Sequence, residues 1–231
     1  MLYADWEPIY AAILADFGYD RAGDERARDL LADLVTDGDP LEPADVELGG
    51  TVAVCGAGPT LPEELPLAGR ANSVVAASTA ADVCLDAGIA VDCMVTDLDK
   101  NPETARDLTR KGVPVAAHAH GDNLDAIDRH VPTFALESVL PTTQAAPNPP
   151  VCNPGGFTDG DRAAFLADAC GADRLIFPGW DFDDPTVAPQ KAKKLRWAER
   201  LLALLEERRG ERFAVLDGRR DDIDRPWNDD W

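Results

Sequence analysis

The chain carries five Asp-x-Asp pairs: Asp37/Asp39, Asp97/Asp99, Asp159/Asp161, Asp181/Asp183 and Asp222/Asp224. Two carboxylates that share a direction repel each other unless a cation lies between them. In a chain this acidic, the default account of any one aspartate is that it hydrates the surface, so location has to discriminate. Asp97 and Asp99 follow the apolar run of VDCMVTDLDK, residues 91–100. Residues i and i+2 of an extended segment point the same way. Such a pair at a strand end suits Mg²⁺, which takes one or two carboxylates, keeps several waters and accepts substrate phosphates. That is the pattern of a nucleotide–Mg²⁺ site. Asp37/Asp39 and Asp222/Asp224 fall in a turn and in the tail, and read as solvated.

Other side chains with chemical potential fall at comparable places. His118 and His120 share one face by the same spacing, and Asp122 follows. They are candidate metal ligands, substrate contacts or a general base, but no third His or Cys completes a zinc-type set. Gly56 and Gly58, with a helix start at Thr60, suit close approach of a phosphate or ribose. The loop is neither a Walker A loop nor a full GxGxxG, since Leu61 stands where the third glycine belongs. A tight strand-to-helix turn is its structural alternative. Ser78 ends another apolar run. Of the five lysines, Lys191, Lys193 and Lys194 crowd the start of a predicted helix. Cations there oppose the helix dipole at a cost of about 0.3–1 kcal/mol each. A bound polyphosphate would explain them; salt bridges to Asp181, Asp183 and Asp184 are the alternative.

Composition narrows the classes. The 231 residues carry 43 acids against 22 bases, a formal charge of −21. That balance repels nucleic acid and anionic membrane surfaces, while 45% apolar content argues against disorder. No window approaches the ~18 uninterrupted apolar residues of a membrane span. The N-terminus MLYADWEPIY lacks the basic region of a signal peptide. Cys55, Cys84, Cys93, Cys152 and Cys170 show no metal spacing and mostly sit in apolar runs, so a reduced cytoplasm is the simplest setting. Scarce lysine and dispersed acids look like a cytoplasmic protein from a salt-loving microbe.

These residues need a scaffold that gathers them. From residue 51 onward, short β-branched runs alternate with helical patterns. The runs are 51–55, 73–78, 92–96, 114–119, 133–138, 174–179 and 213–216. They are nearly continuous rather than alternating, as parallel strands covered on both faces are. The expected fold is α/β, a Rossmann-like and mostly parallel sheet with helices on both faces. Residues 1–46 form a helical appendage, 47–217 the catalytic domain and 218–231 an acidic tail. The appendage either caps the sheet or forms the contact of a homodimer. Ligands of such sheets bind beyond the carboxyl ends of the strands, where the small and polar residues named above collect. Residues 141–157, rich in proline and glycine, are expected to be a long functional loop.

The ordered set CGAGPTL, TDLDK, HAHGDN, TTQ, GFTDGDRA and GWDF followed by KAKKLRWAERLL resembles the archaeal 6-hydroxymethyl-7,8-dihydropterin pyrophosphokinases, from about residue 50 to 208. That family's fold is similar to the catalytic domain of thiamine pyrophosphokinase. The resemblance implies ATP as co-substrate, Mg²⁺ and a pterin alcohol, with AMP and a pterin diphosphate as products. By position it makes Asp97, Asp99, Asp159 and Asp161 the acids for metal. It makes His118, His120 and Asp122 the candidate catalytic groups. Gly56, Gly58, Thr60, Ser78, Thr158, Lys191, Lys193 and Lys194 become the nucleotide contacts. The run DDPTVAPQ departs from the glycine- and lysine-rich loop expected after GWDF. Three alternatives stand beside this reading: the same chemistry on another alcohol such as thiamine, metal-dependent sugar transfer, and a non-catalytic nucleotide-binding regulator.

Overall fold

The computed structural model describes residues 1–227; the last four residues of the expected acidic tail, 228–231, lie outside the described residues. The sheet has six strands: β1 (Thr51–Cys55), β2 (Ser73–Ala77), β3 (Cys93–Thr96), β4 (Val115–Ala119), β5 (Val139–Thr143) and β6 (Arg174–Ile176). Every pairing is parallel, in the order β5-β4-β3-β2-β1-β6. The chain lays down strands outward from β1 to β5, then returns to place β6 on the other side of β1. The order therefore reverses at β1/β6, where such sheets open a crevice.

The eight α-helices are α1 (Tyr3–Phe17), α2 (Arg21–Val35), α3 (Leu61–Ala68), α4 (Ala80–Asp86), α5 (Pro102–Thr109), α6 (Leu124–His130), α7 (Asp159–Ala169) and α8 (Pro189–Arg209). Period-two alternation in the strands explains the two cores. Val52, Val54, Val75, Ala77, Cys93 and Val95 pack under α1, α7 and α8. Ala53, Cys55, Val74, Ala76 and Met94 pack under α2 through α6. Both faces are buried, which is why the strands read as unbroken apolar runs.

Two expected strands are not strands. The run 133–138 ends in a one-turn 3-10 helix, Leu136–Ser138, and the strand begins at Val139. The pairing partners of β4 are Val139 to Thr143, so the strand lies wholly beyond the expected run. Residues 141–143 of the expected loop thereby belong to β5. The run 213–216 holds a 3-10 helix, Ala214–Leu216, with Phe213 and Leu216 buried. Its apolar character serves packing against α8, not pairing. Residues 1–46, expected as an appendage, bury Trp6, Tyr10 and Ile13 in one core and Ala27, Leu31 and Val35 in the other. The tail docks through Trp227, which stacks on Trp197 at 5.8 Å, and through ion pairs of Arg219, Arg220 and Arg225. All five cysteines are free.

Candidate active site

The carboxyl ends of β1–β4 and β6 open into a cavity of about 400 Å³. Its wall also includes the start of α7, the first turns of α8 and residues 19–26 at the α1–α2 corner. That corner crosses the end of the sheet because α1 packs on one face and α2 on the other.

Asp97 and Asp99 line the cavity together with Asp159. The two strand-end acids do not converge along an extended strand, as their spacing suggested. β3 ends at Thr96, and the chain turns at Leu98, a buried residue with φ of 66°. The turn is held by Leu98 N–H donating to Thr96 Oγ1 at 3.0 Å and Asp99 N–H donating to Asp97 Oδ1 at 3.3 Å. A left-handed Leu costs about 1–2 kcal/mol, and burial of its side chain in the α2–α6 core offsets that. The outcome is two carboxyls in contact whose proton affinities are driven apart. Burial pushes Asp97 upward, but hydrogen bonds from His120 and Asp99, and the charge of Arg162, outweigh it and hold Asp97 well below the usual range. Burial and the Asp97 carboxylate raise Asp99 to about 6. Burial and the charge of Asp97 raise Asp159 to about 7. Protons sit here where a dication would relieve the same repulsion, so the donors fit Mg²⁺. Among the described residues no three His, Cys, Asp or Glu side chains form a cage of their own. Mg²⁺ does not need one when waters and phosphates complete its shell.

The histidines part company. His120 lines the cavity, with Nε2 at 3.5 Å from Asp97 Oδ2 and Nδ1 accepting from Asp122 N–H at 3.3 Å. Asp122 lines it too. His118 is buried and points away, its Nδ1 at 3.0 Å from Thr142 Oγ1. Burial, then the charges of Arg162 and His120, hold it neutral. Asn123, which carried no assigned role, staples the loop: it donates to the carbonyls of Asp97 and His118 at 2.8 and 2.7 Å.

Asp161 does not face the cavity. It is fully buried and accepts from the N–H of Phe157 and Thr158 and from the Thr158 hydroxyl. This is the capping box of α7, and it spends both oxygens. Thr158 and Asp159, on the same turn, do reach the cavity.

Gly56 and Gly58 line the cavity, but their N–H groups are already committed to Pro178 O and Gly179 O at 2.9 and 2.8 Å. A Cβ at either position would lie 2.7 or 2.6 Å from Gly179 O. The glycines therefore let two strand-end loops interlock at the β1/β6 crevice, and their amides are not free to cradle phosphate. Thr60 faces Glu64 instead of the cavity. Ser78, with φ of 50°, has a buried hydroxyl on the cavity wall and no protein partner among the described residues. Lys191 and Lys194 line the cavity, one turn apart. Lys193 turns outward to Asp16 Oδ1 at 2.8 Å and lies over the Phe17 ring. Asp183 pairs with Arg219, and among the described residues neither Lys191 nor Lys194 forms an ion pair with Asp181 or Asp184.

A buried chain of hydrogen bonds ties the amino-terminal helices to this centre. Asp24 accepts from Tyr10 Oη at 2.6 Å, Gly121 N at 2.7 Å and Gln144 Nε2 at 2.8 Å. Gln144 Oε1 accepts from Arg162 Nη2 at 3.0 Å, and Arg162 Nη1 pairs with Asp159 at 3.2 Å. Nothing in the spacing around Asp24 marked it. The signal was a single acid on the apolar side of an amphipathic helix, masked by so many other acids.

Residues 34–186 match the family model described as MptE-like, 6-hydroxymethylpterin diphosphokinase. The chain belongs to this MptE-like diphosphokinase family. Curated relatives carry the name 6-hydroxymethyl-7,8-dihydropterin pyrophosphokinase. One from Pyrococcus furiosus is 39% identical, covering 89% of this chain and 95% of the relative. One from Methanothermobacter thermautotrophicus is 36% identical over 87% and 94%. One from Methanocaldococcus jannaschii is 32% identical over 88% and 95%. The motif order that suggested these diphosphokinases lies mostly inside the matched span. The cavity residues Tyr19, Asp20, Gly23, Asp24 and Arg26 lie before it.

Proposed function

We propose that the chain transfers the diphosphate of ATP to the hydroxymethyl oxygen of 6-hydroxymethyl-7,8-dihydropterin, releasing AMP. The observation that carries this is one cavity lined by the acid trio Asp97, Asp99 and Asp159 together with Lys191, Lys194 and Arg162, in a chain of the diphosphokinase family. In the reaction the pterin oxygen forms a bond to the β-phosphorus, the bond from that phosphorus to the α-phosphate bridging oxygen breaks, and the hydroxyl proton leaves. Such transfers depend mainly on positioning and charge neutralisation. Bound between the acids, Mg²⁺ would neutralise phosphate charge and align the in-line geometry.

The protein's own groups divide the rest. Asp97 and Asp99 hold the metal, with Asp159 beside them, paired with Arg162, and Asp161 reserved for the helix cap. Lys191 and Lys194 contact the phosphates, and the Ser78 hydroxyl offers a hydrogen bond to the nucleotide. His120, with its proton on Nε2 because Nδ1 accepts from Asp122 N–H, donates to Asp97 and steadies it. Asp122 is then the proton acceptor we assign to the pterin hydroxyl.

The test is AMP formation from ATP and the pterin alcohol with Mg²⁺ in high KCl. Pterin-dependent AMP with a matching pterin diphosphate is the expected result. ATP binding without AMP would replace the proposal with a regulator, and AMP formed only with thiamine would move the chemistry to another alcohol.

A further inference from the structure

Behind Arg162 lies a second, small cavity of about 10 Å³, lined by Val95, Ala116, His118, Thr142, Arg162 and Leu166 among others. That is the space of one water molecule. Hydrogen-bond accounting sets the chemistry of its walls. The Thr142 hydroxyl lies 3.3 Å from Ala117 O and 3.0 Å from His118 Nδ1; with its single proton on the carbonyl, it can only accept toward Nδ1. In that arrangement His118 carries its proton on Nδ1, and Nε2 presents a lone pair. That Nε2 is buried with no protein partner among the described residues, and so is the Nε–H of Arg162. One unpaired acceptor and one unpaired donor, on residues 2% and 6% exposed, line a cavity the size of one water.

We propose that this cavity binds one structural water, which donates to His118 Nε2 and accepts from Arg162 Nε–H, making His118 a positioning residue for Arg162. The guanidinium is then held on three sides: Nη1 by Asp159, Nη2 by Gln144 and Nε by the water. Arg162 is the arginine hydrogen-bonded to the acid cluster, so its fixed orientation sets how Asp159 faces the metal. This excludes His118 as the general base, because its free nitrogen faces the small cavity and not the substrate.

The link to turnover rests on the diphosphotransferase reading; the water site does not, and the tests are separable. Nitrogen-15 NMR of histidine-labelled protein is expected to show His118 as the Nδ1–H tautomer, unchanged from pH 5.5 to 8. A high-resolution crystal structure is expected to show a water within hydrogen-bond distance of both nitrogens. An Nε2–H tautomer or a dry cavity overturns the site, whether or not the chain turns over pterin. For the positioning role, His118→Gln retains an acceptor and keeps kcat within about threefold. His118→Leu strands the Arg162 donor and lowers kcat about tenfold or more, the usual consequence of one orphaned buried donor. The KM for pterin and the shape of the pH profile stay unchanged. Unchanged kcat in the leucine variant, or loss of the acidic limb of its profile, overturns the role.

Discussion

At the scale of single residues, the cavity holds like charges close together, as the proposed cation site requires. Asp99 titrates at about 6 and Asp159 at about 7, both above an ordinary aspartate because of burial and the Asp97 charge. Below those values each carries a proton that a bound Mg²⁺ would displace; at pH 8 and above almost none remains. Mg²⁺ affinity is therefore expected to climb by up to tenfold per pH unit per displaced proton up to about pH 7, then level off. Isothermal titration calorimetry in buffers of different ionisation enthalpy would register released protons at pH 6 and almost none at pH 8. The same raised groups make the metal-free fold lose stability as pH rises from the unfolded value through about 7, because the folded state gives up protons it had held. Added Mg²⁺ should consequently raise the melting temperature more at pH 8 than at pH 5.5. Asp97→Asn keeps the size and removes the charge. Its kcat should fall about 10³-fold or more, several kcal/mol of barrier, with the circular dichroism unchanged. Near-normal turnover in that variant would sink the metal assignment.

At the scale of elements, α8 separates three adjacent lysines by geometry alone. Lys191 and Lys194 lie three apart and share the cavity face, while Lys193 points to α1. Lys194→Ala is expected to raise the KM for ATP about tenfold while leaving the melting temperature near wild type. Lys193→Ala should leave KM alone and cost about 0.2–1 kcal/mol, the range of an exposed ion pair. A KM effect confined to the Lys193 variant would reverse this division. Gly58→Ala tests the loop interlock: the added Cβ at 2.6 Å from Gly179 O forces the β1 and β6 loops apart. A loss of about 1–3 kcal/mol in chemical denaturation is expected. The strands β1–β4 and all the helices from α4 onward were legible in the sequence, because period and turn chemistry agree there. The β5 register was not, because residues 133–143 mix apolar and hydroxyl residues on both sides of Glu137, and only pairing with β4 decides where the strand starts. Asp97 and Asp99 were legible by position even though the turn that joins them was not. Asp161 resembled its neighbour Asp159 in type and spacing; only the helix start at Asp159 shows which of the two must cap.

At the scale of the whole molecule, two features set behaviour in solution. A formal charge of −21 over 231 residues strains the folded state by self-repulsion. Salt screens that repulsion, so the melting temperature should rise steadily between 0.1 and 2 M KCl; a flat or falling curve would show that the acids are locally compensated. The second feature is the place of the first two helices. Removing residues 1–46 strips Trp6, Tyr10 and Ile13 from one core and Leu31 and Val35 from the other, and takes Asp24 from the network behind Arg162. The truncated chain is expected to lose cooperative unfolding and ATP binding together, as read by denaturant titration and calorimetry. There is a consequence in time as well. α1 is synthesised before every strand, yet some of its polar partners lie at the far end of the chain: Asp16 with Lys193 and Trp197, Asp5 with Arg208. These contacts of α1 cannot be completed until α8 has left the ribosome. The cavity, roofed by the corner after α1, is thus completed only when the oldest segment of the chain meets its last helix, and a nascent chain holds no finished cavity.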